Sequence, residues 1–390
     1  MTFQQAPHKL LMIPGPIEVA DDVLYENAHP AMAHVSPEFV PIFGEVIKDL
    51  RKVVHASADS QPILVAGSGT MGWDMAAVNV LQPGEEALVL QTGYFSDGFA
   101  DALEAYGVKT TKIEAPCGKR PSLDEVKSAL QQKKYRAVTI THVDTSTGVL
   151  SDVKAVAAAV REVSPETLVF VDGVCSVASE ELRLEEWGVD FLLTASQKGL
   201  GCPPGLSIVI AGPRALKAFE ERKTPPATYY LSWKRWIPVL KAYESGSPAY
   251  FGTPPTNLIY ALHKSLKTIL EGPTSLEQRL QKTKEASDKV KKFVADLGLK
   301  QLVAEELQQS NGAANGMTAV CYPNGLKAPD VLPKLAQRGV VLGAGIHKDT
   351  KDQYFRIGHM GVSVVEPARN DIDKLLTNLK EVLAEAGYKP

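Results

Sequence analysis

The segment FLLTASQKGLGCPPG, at residues 191–205, places a lysine among small polar residues directly after an apolar run. The Gly and Pro residues that follow Lys198 end the predicted strand in a narrow loop. A lysine amine reacts with carbonyl compounds when partial burial or a nearby cation lowers its pKa. Lys198 is therefore a candidate for covalent attachment of pyridoxal 5′-phosphate (PLP). A solvated lysine in a surface turn is the alternative.

A second apolar run, LVFVD at residues 168–172, ends in a carboxylate. Its unbroken apolar character predicts a buried parallel strand with Asp172 at the carboxyl end. A PLP ring acts as an electron sink when its nitrogen is protonated, and the protonated nitrogen needs an acidic partner. Asp172 is the candidate for that partner, with a capping or turn aspartate as the alternative.

A strand, a glycine-rich turn and a helix are predicted in sequence from PILVAGSGT, at residues 62–70, and the largely apolar stretch 71–81. Free backbone N–H groups and the positive end of the helix dipole favour a phosphate at such a turn. Ser68 and Thr70 add hydroxyl donors. The turn has neither the Gly-Lys-Ser/Thr of a P-loop nor the Gly-x-Gly-x-x-Gly of dinucleotide folds, so we expect a ligand with one phosphate monoester.

Together these elements resemble the class V aminotransferases of PLP fold type I, and most closely the alanine:glyoxylate (serine:pyruvate) aminotransferase family. The matching motifs are AGSGT at 66–70, THVDTSTGVL at 141–150, VDGVCS at 171–176 and SQK at 196–198. The resemblance runs from LLMIPGP at 10–16 to RIGHMG at 356–361 and so covers nearly the whole chain. It implies an α/β fold, with a mostly parallel sheet in a large domain and a small α+β C-terminal domain.

The resemblance also implies roles for the residues that match the family's motifs. Lys198 corresponds to the lysine that binds PLP and later moves a proton between the substrate α-carbon and the cofactor, and Asp172 to the partner of the ring nitrogen. The implied cofactor-binding residues are Ser68, Gly69, Thr70, Phe95, Thr145, Asp172, Val174, Gln197, Lys198, Tyr250 and Thr253. Tyr250 and Thr253 match residues that reach the phosphate of a neighbouring subunit, so the expected active unit is a homodimer with shared active sites.

Several of these residues also have an ordinary structural interpretation. Phe95 stands where relatives often have a Trp that stacks on the ring, and a planar apolar face is sufficient for stacking. A core aromatic residue is its alternative. Thr145 fits a simple capped turn, and Tyr250 and Thr253 fit a Pro-flanked surface loop.

Arg356 is the candidate for substrate recognition, because a guanidinium group can bind both oxygens of a carboxylate at once. It follows Tyr354-Phe355 and is predicted to lie on a strand, with a solvated surface arginine as the alternative. The resemblance adds Gly15 as a second substrate-binding residue. His347 and His359 are interpreted as neutral packing residues, since no acidic or cysteine partners stand at metal-ligand spacing, and no metal is expected.

Short apolar runs alternate with amphipathic stretches from about residue 36 to residue 266, which predicts a mostly parallel sheet wrapped by helices. The predicted strands of this part are 87–90, 137–143, 168–171, 191–194 and 206–211. A long helix beginning after GPTS (272–275), strands at 317–322 and 339–342, and a last helix near 372–386 predict a small α+β domain. The predicted organisation is an N-terminal segment lining the active site (1–35), a large PLP-binding domain (36–270) and a small C-terminal domain (271–390).

The bulk composition agrees with a two-domain enzyme. The chain has 390 residues, of which 44% are hydrophobic, and this is enough for a large core. A formal net charge of −3 gives no electrostatic reason to expect nucleic acid or a membrane surface as a partner. The four cysteines lack Cys-x-x-Cys spacing and are predicted to be free thiols in a reducing compartment. No targeting motif is recognised, so the cytoplasm is the expected location, with peroxisome or mitochondrion as alternatives.

The sequence predicts a ping-pong transaminase that converts alanine and glyoxylate to pyruvate and glycine. Serine:pyruvate, serine:glyoxylate or 3-hydroxykynurenine transamination would differ in pocket size rather than in chemistry, and these alternatives remain open. A PLP lyase such as a cysteine desulfurase or a kynureninase is the next alternative. Desulfurases need a mobile-loop cysteine, whereas Cys321 lies in an apolar predicted strand. The intact set of site residues argues against a non-catalytic member.

Overall fold

A seven-stranded sheet forms the centre of the structure, a computed structural model that describes residues 3–389. The strands of the chain are β1 Leu10–Leu11, β2 Gln61–Ala66, β3 Glu86–Gln91, β4 Lys109–Glu114, β5 Ala137–Thr141, β6 Val143–Asp144, β7 Val149–Leu150, β8 Leu168–Asp172, β9 Phe191–Ala195, β10 Leu206–Ala211, β11 Met317–Cys321, β12 Val340–Val341, β13 Gly343–Ala344 and β14 Tyr354–Gly358. The central sheet has the order β2-β10-β9-β8-β5-β3-β4. Its last five strands are mutually parallel, whereas β10 is antiparallel to both neighbours.

Helices pack on this sheet and also form much of the chain outside it. They are α1 Asp21–Asn27, α2 Phe39–Val53, α3 Met71–Met75, α4 Tyr94–Ala105, α5 Leu123–Gln132, α6 Val153–Val163, α7 Pro213–Glu220, α8 Trp233–Glu244, α9 Thr256–Glu271, α10 Leu276–Asp296, α11 Glu305–Gln309, α12 Ala328–Gln337, α13 Val362–Val365 and α14 Asp371–Glu385. A π-helical turn at Ala76–Val80 continues α3. The predicted α/β class with a mostly parallel sheet is confirmed.

The predicted strands of the sheet form because both of their faces are buried. Every residue of β5, β8 and β9 is buried, which explains why these strands are largely apolar in the sequence. Strand β4, at the edge of the sheet, is not among the predicted strands. Its sequence KTTKIE is mostly polar and has no buried residue, so it carries no apolar signal, and among residues 3–389 it pairs only with β3.

A second apolar cluster lies under the three-stranded sheet β11-β14-β13. Its members come from α10, α12 and α14 as well as the sheet, and the N-terminal Met12 joins them. The last part of the chain therefore has an apolar core of its own. The domain limits at residues 35 and 270 stay predictions.

The N-terminal segment runs from this second cluster to the central sheet. The short strand β1 pairs in parallel with β12, and Met12 O accepts a hydrogen bond of 2.8 Å from the backbone N–H of Gly358. Further along, the N–H of Ile17 donates to Gln197 O at 3.1 Å. Residues 13–16 are thus held between the strand that bears Arg356 and the loop that bears Lys198.

Among residues 3–389, no helix combines the length and the apolar character that crossing a bilayer requires.

Candidate active site

Lys198 lies in the loop directly after β9, where its side chain is half-buried. Its Nζ donates a hydrogen bond of 2.7 Å to the carbonyl oxygen of Pro14. Burial lowers the pKa of the amine, and the positive charge of Arg356 acts in the same direction, while Cys175 and Asp172 oppose the shift. A neutral amine is the form that attacks a carbonyl group and accepts a proton, so this environment favours the chemistry expected of Lys198.

Gly15 makes close contact with that lysine. Its φ is +131°, and a Cβ at this position would lie 2.4 Å from both Nζ and Cδ of Lys198. Only a residue without a side chain leaves space for the amine here. The structure thus places Gly15 beside the candidate catalytic lysine.

Asp172 is the last residue of β8, only 4% exposed, as its strand pattern predicts. Its Oδ2 accepts a hydrogen bond of 2.8 Å from Trp73 Nε1, and its Oδ1 accepts one of 3.0 Å from the N–H of Val174. Burial raises the pKa of Asp172 to about 6, although both hydrogen bonds and Lys198 oppose that shift. Ionisation of a carboxyl group in this buried setting costs free energy unless a cation lies next to it. Asp172 is therefore suited to pair with a protonated ring nitrogen.

The structure adds Trp73, which sequence reasoning missed. Trp73 is the third residue of α3 and is 7% exposed. In the sequence, such a tryptophan cannot be distinguished from an ordinary aromatic residue of the core. Its bond to Asp172 joins residues 99 positions apart, so no local pattern could have indicated it.

The turn before α3 presents several hydrogen-bond donors without protein partners. Within residues 3–389, the backbone N–H groups of Ser68, Gly69 and Thr70 donate no hydrogen bond to the chain. The hydroxyls of Ser68 and Thr70 lie 2.6 Å apart on exposed side chains. A Cβ on Gly69 would lie 2.7 Å from Val174 Cγ2, so glycine lets this turn pack against Val174. Free N–H groups and hydroxyls at the start of a helix are the donors that an anion requires.

Gln197 contributes a second unpaired polar group next to the lysine. Its Oε1 atom is buried and has no hydrogen-bond partner in the part of the chain that the structure describes. A buried amide oxygen without a donor is costly, so a bound ligand with an N–H or O–H group would satisfy it. The Nε2 group of the same amide can donate to a phosphate oxygen, beside the donors of the turn at residues 68–70.

Arg356 is borne by β14, as predicted, and its side chain is half-buried. Its Nε donates to Ala344 O at 2.7 Å and its Nη1 to Thr145 O at 3.1 Å. Both acceptors are backbone carbonyls, so these bonds orient the guanidinium without neutralising it. Because arginine has five N–H donors, three remain for a substrate carboxylate.

Hydrogen bonds connect the loop that contains Thr145 to the start of α4, which contains Phe95. The connection is Asp144, fully buried, whose oxygens accept hydrogen bonds from Ser96 and Ser146. Burial raises the pKa of Asp144, and these bonds oppose the shift. Thr145 is buried, while Phe95 is half-buried beside the exposed Tyr94, with ring centroids 5.3 Å apart. Phe95 thus retains a partly open ring.

Tyr250 and Thr253 lie on the surface rather than beside Lys198. Tyr250 is 66% exposed, and its ring centroid lies 5.1 Å from that of His34. Thr253 is also exposed. Their expected role in the site of a neighbouring subunit stays a proposal.

The remaining flanking residues behave as packing groups. His359 is fully buried, its Nε2 lies 2.8 Å from Thr318 Oγ1, and burial lowers its pKa to about 3. His359 is therefore neutral at physiological pH. His347 is also buried, and its Nδ1 accepts a hydrogen bond of 3.3 Å from the backbone N–H of Asp349.

The donor set fits a specific kind of cofactor. It combines an amine of lowered pKa, a buried acid that can pair with a ring nitrogen, and a turn with free donors for one phosphate group. The fold and this arrangement define a PLP-dependent enzyme of fold type I.

Comparison with known proteins places the chain in a family. Residues 20–356 match the family model described as Aminotransferase class-V. The chain belongs to the class V aminotransferases, and PLP is the cofactor of this family.

Named relatives share nearly the full length of the chain. Alanine–glyoxylate aminotransferase 1 of Saccharomyces cerevisiae is 45% identical over 361 residues, covering 90% of this chain and 92% of that protein. Serine–glyoxylate aminotransferase of Arabidopsis thaliana is 29% identical over 384 residues, covering 97% and 91%. Among solved structures, an alanine–glyoxylate aminotransferase from Nostoc sp. superposes with a TM-score of 0.88 at 29% identity, covering 97% of this chain and 96% of that one.

Proposed function

We propose that this chain transfers the amino group of alanine to glyoxylate and so produces pyruvate and glycine. The observation that carries the proposal is the open guanidinium of Arg356, which has donors for one substrate carboxylate. Alanine and glyoxylate each carry one carboxylate, and their remaining groups are small. The similarity to the yeast alanine–glyoxylate aminotransferase supports this pair. Turnover would then consume glyoxylate and form glycine.

Each proposed residue has a physical task. Bound PLP supplies the electron sink that permits loss of the proton from the substrate α-carbon. The Nζ of Lys198 would accept that proton, since burial lowers the pKa of the amine and so favours its neutral form, and would pass it to the cofactor. In the half of the reaction that consumes glyoxylate, the same amine would move a proton back to the α-carbon. The Asp172 carboxylate would hold the ring nitrogen in its charged form. Ser68, Thr70 and Gln197 would hold the phosphate, and Arg356 would fix the orientation of the substrate.

The direct test separates pyruvate from glyoxylate by chromatography and follows pyruvate formation in the presence of alanine, glyoxylate and PLP. The proposal predicts turnover that requires both substrates and is lost in Lys198→Ala. Lys154→Ala is a matched control, because Lys154 is an exposed lysine on α6. Absence of pyruvate with the purified wild-type enzyme would refute the substrate pair.

Serine is the second candidate donor, because the Arabidopsis relative is a serine–glyoxylate aminotransferase. The same purified enzyme, given serine and glyoxylate, would form hydroxypyruvate and glycine. The ratio of kcat/KM for alanine and serine decides between the two donors. A desulfurase function has no comparable support, because Cys321 is the last residue of β11 and its N–H donates to Lys300 O at 2.8 Å.

We also propose a homodimer in which Tyr250 and Thr253 complete the site of the partner. Their exposure supports this role, since an exposed tyrosine and threonine are free to contact a second subunit. Mixing Lys198→Ala with the double variant Tyr250→Ala/Thr253→Ala gives hybrids that contain one complete site. Random exchange predicts about a quarter of the wild-type activity, since about half of the dimers are hybrids with one working site of two. Two inactive variants that stay inactive after verified subunit exchange would contradict shared sites.

A further inference from the structure

The carboxylate of Asp172 is held by two donors that come from different elements. Trp73 Nε1, on α3, binds Oδ2 at 2.8 Å, and the N–H of Val174, just after β8, binds Oδ1 at 3.0 Å. We infer that Trp73 is a positioning residue for the transamination reaction, which fixes the plane and the charge of the Asp172 carboxylate toward the cofactor ring nitrogen. This inference rests on the proposed role of Asp172.

The chemistry of the two donors supports this role. An indole N–H and a backbone N–H can only donate, and neither titrates in the physiological range. A protonated Asp172 can accept well through only one of its two oxygens, whereas the ionised form accepts both bonds at full strength. Burial and the charge of Asp144 raise the pKa of Asp172, and these two contacts oppose that shift and so favour the carboxylate that a positively charged partner needs.

The indole is fixed in place by its neighbours. Its ring is stacked on Phe99 with a centroid distance of 5.8 Å and an interplanar angle of 16°. A Cβ on Gly98 would lie 3.0 Å from Trp73 Cζ3, so α4 approaches the indole closely. On the other side, a Cβ on Gly72 would lie 2.7 Å from Leu193 Cβ, so α3 packs directly on β9. Rotation of the indole away from Asp172 would require one of these helices to move.

The same short helix also links the two ends of the proposed cofactor site. The turn at residues 68–70 leads directly into α3, and Trp73 follows it by one helical turn. The phosphate donors and the residue that orients Asp172 thus belong to one short continuous segment, residues 68–75.

Other ionisable groups around Asp172 do not replace this interaction. Asp144 raises its pKa, and Lys198 lowers it. Cys175 is buried, and its pKa is raised to about 11, so it stays neutral at pH 7. The backbone N–H of His142 donates to Asp172 O, and burial lowers the pKa of this histidine to about 4, so the ring is uncharged above pH 5.

The test measures the affinity of the cofactor-free protein for PLP from pH 5 to pH 8. In wild type the affinity falls as Asp172 becomes protonated below about pH 6. Trp73→Phe removes the N–H and retains an aromatic ring, so the pKa of Asp172 should rise. The fall of PLP affinity at low pH, here called the acid limb, should therefore begin about one pH unit higher, which corresponds to a ten-fold change in the ionisation equilibrium. Relative to wild type, binding should then be about ten-fold weaker at pH 5 and nearly unchanged at pH 8.

Phe99→Leu is the matched control, because it disturbs the packing of the indole and leaves the N–H present. A purely structural role of Trp73 predicts that both variants lose affinity equally at every pH, and this result would overturn the inference. If Trp73→Phe fails to fold, replacement of Trp73 by β-(3-benzothienyl)alanine keeps the bicyclic shape without the N–H. The titration of PLP itself is common to all the proteins and cancels in the comparison.

Asp172→Ala separates this inference from the proposal on which it rests. Loss of the acid limb in Asp172→Ala supports Asp172 as the nitrogen partner. If that variant keeps the wild-type profile, the role of Asp172 fails. If the limb depends on Asp172 but does not move in Trp73→Phe, the proposed function stands and the role of Trp73 is refuted.

Discussion

Gly15→Ala should disable the enzyme by displacing Lys198. The new Cβ would lie 2.4 Å from the lysine Nζ, whereas ordinary contacts of a Cβ begin at 3.4 Å, so the amine must move by about 1 Å. It would then also lose the geometry of its 2.7 Å bond to Pro14 O. Misplacement of a catalytic group by about 1 Å can lower the rate about 100-fold, and we expect a loss of that size in kcat.

The assay compares kcat for the alanine–glyoxylate reaction, together with the melting temperature, in wild type and two variants. Gly84→Ala is the control, because Gly84 also has positive φ (+86°) but has nothing within 4 Å of the added Cβ. It isolates the cost of the backbone conformation, about 1–2 kcal/mol of stability, and should leave kcat unchanged. If Gly15→Ala retains a kcat close to that of Gly84→Ala, the proposed contact between Gly15 and the active lysine is not functional.

Three further predictions concern single side chains. Arg356→Lys should lower kcat/KM for alanine about 10- to 100-fold, mainly through KM, because a lysine cannot bind both carboxylate oxygens; equal KM values in wild type and variant would contradict the carboxylate role. Cys321→Ser should leave transamination kinetics unchanged, and a loss of turnover beyond the loss of folded protein would reopen a thiol-dependent function. The raised pKa of Asp172 favours the folded state at low pH, and this advantage is lost between pH 4 and pH 6 because the unfolded carboxyl ionises first. Acidification from pH 7 to pH 5 should therefore stabilise the cofactor-free wild type by about 1 kcal/mol more than Asp172→Ala in urea unfolding, and identical pH dependences would argue against a raised pKa.

The sequence indicated the sheet well because its central strands are buried on both faces. The runs ending at Asp172 and Ala195 are apolar for that reason, and their carboxyl ends place Asp172 and Lys198 at one edge of the sheet. It did not indicate β4, whose exposed edge position permits the polar sequence KTTKIE. The sequence also did not indicate that β10 runs antiparallel to its neighbours, because a buried strand is apolar whichever direction it takes.

The parts of the site that no pattern could predict are contacts between distant segments. Pro14 O meets Lys198 across 184 positions of sequence, and Trp73 meets Asp172 across 99. The guanidinium of Arg356 is oriented by Thr145 O, which lies 211 positions away. The contacts of Pro14 and Arg356 depend on how the N-terminal segment and the last sheet pack on the central one, and the contact of Trp73 depends on how α3 packs on that central sheet. These are properties of the fold rather than of any local motif.

The most direct test of the proposed function is the absorbance spectrum of the purified holoenzyme, recorded before and after alanine is added and again after glyoxylate. The visible absorbance of bound PLP should disappear with alanine and return with glyoxylate, with one equivalent of pyruvate and then of glycine per active site. An absorbance that alanine leaves unchanged, in a protein that binds PLP, would contradict alanine as the amino donor.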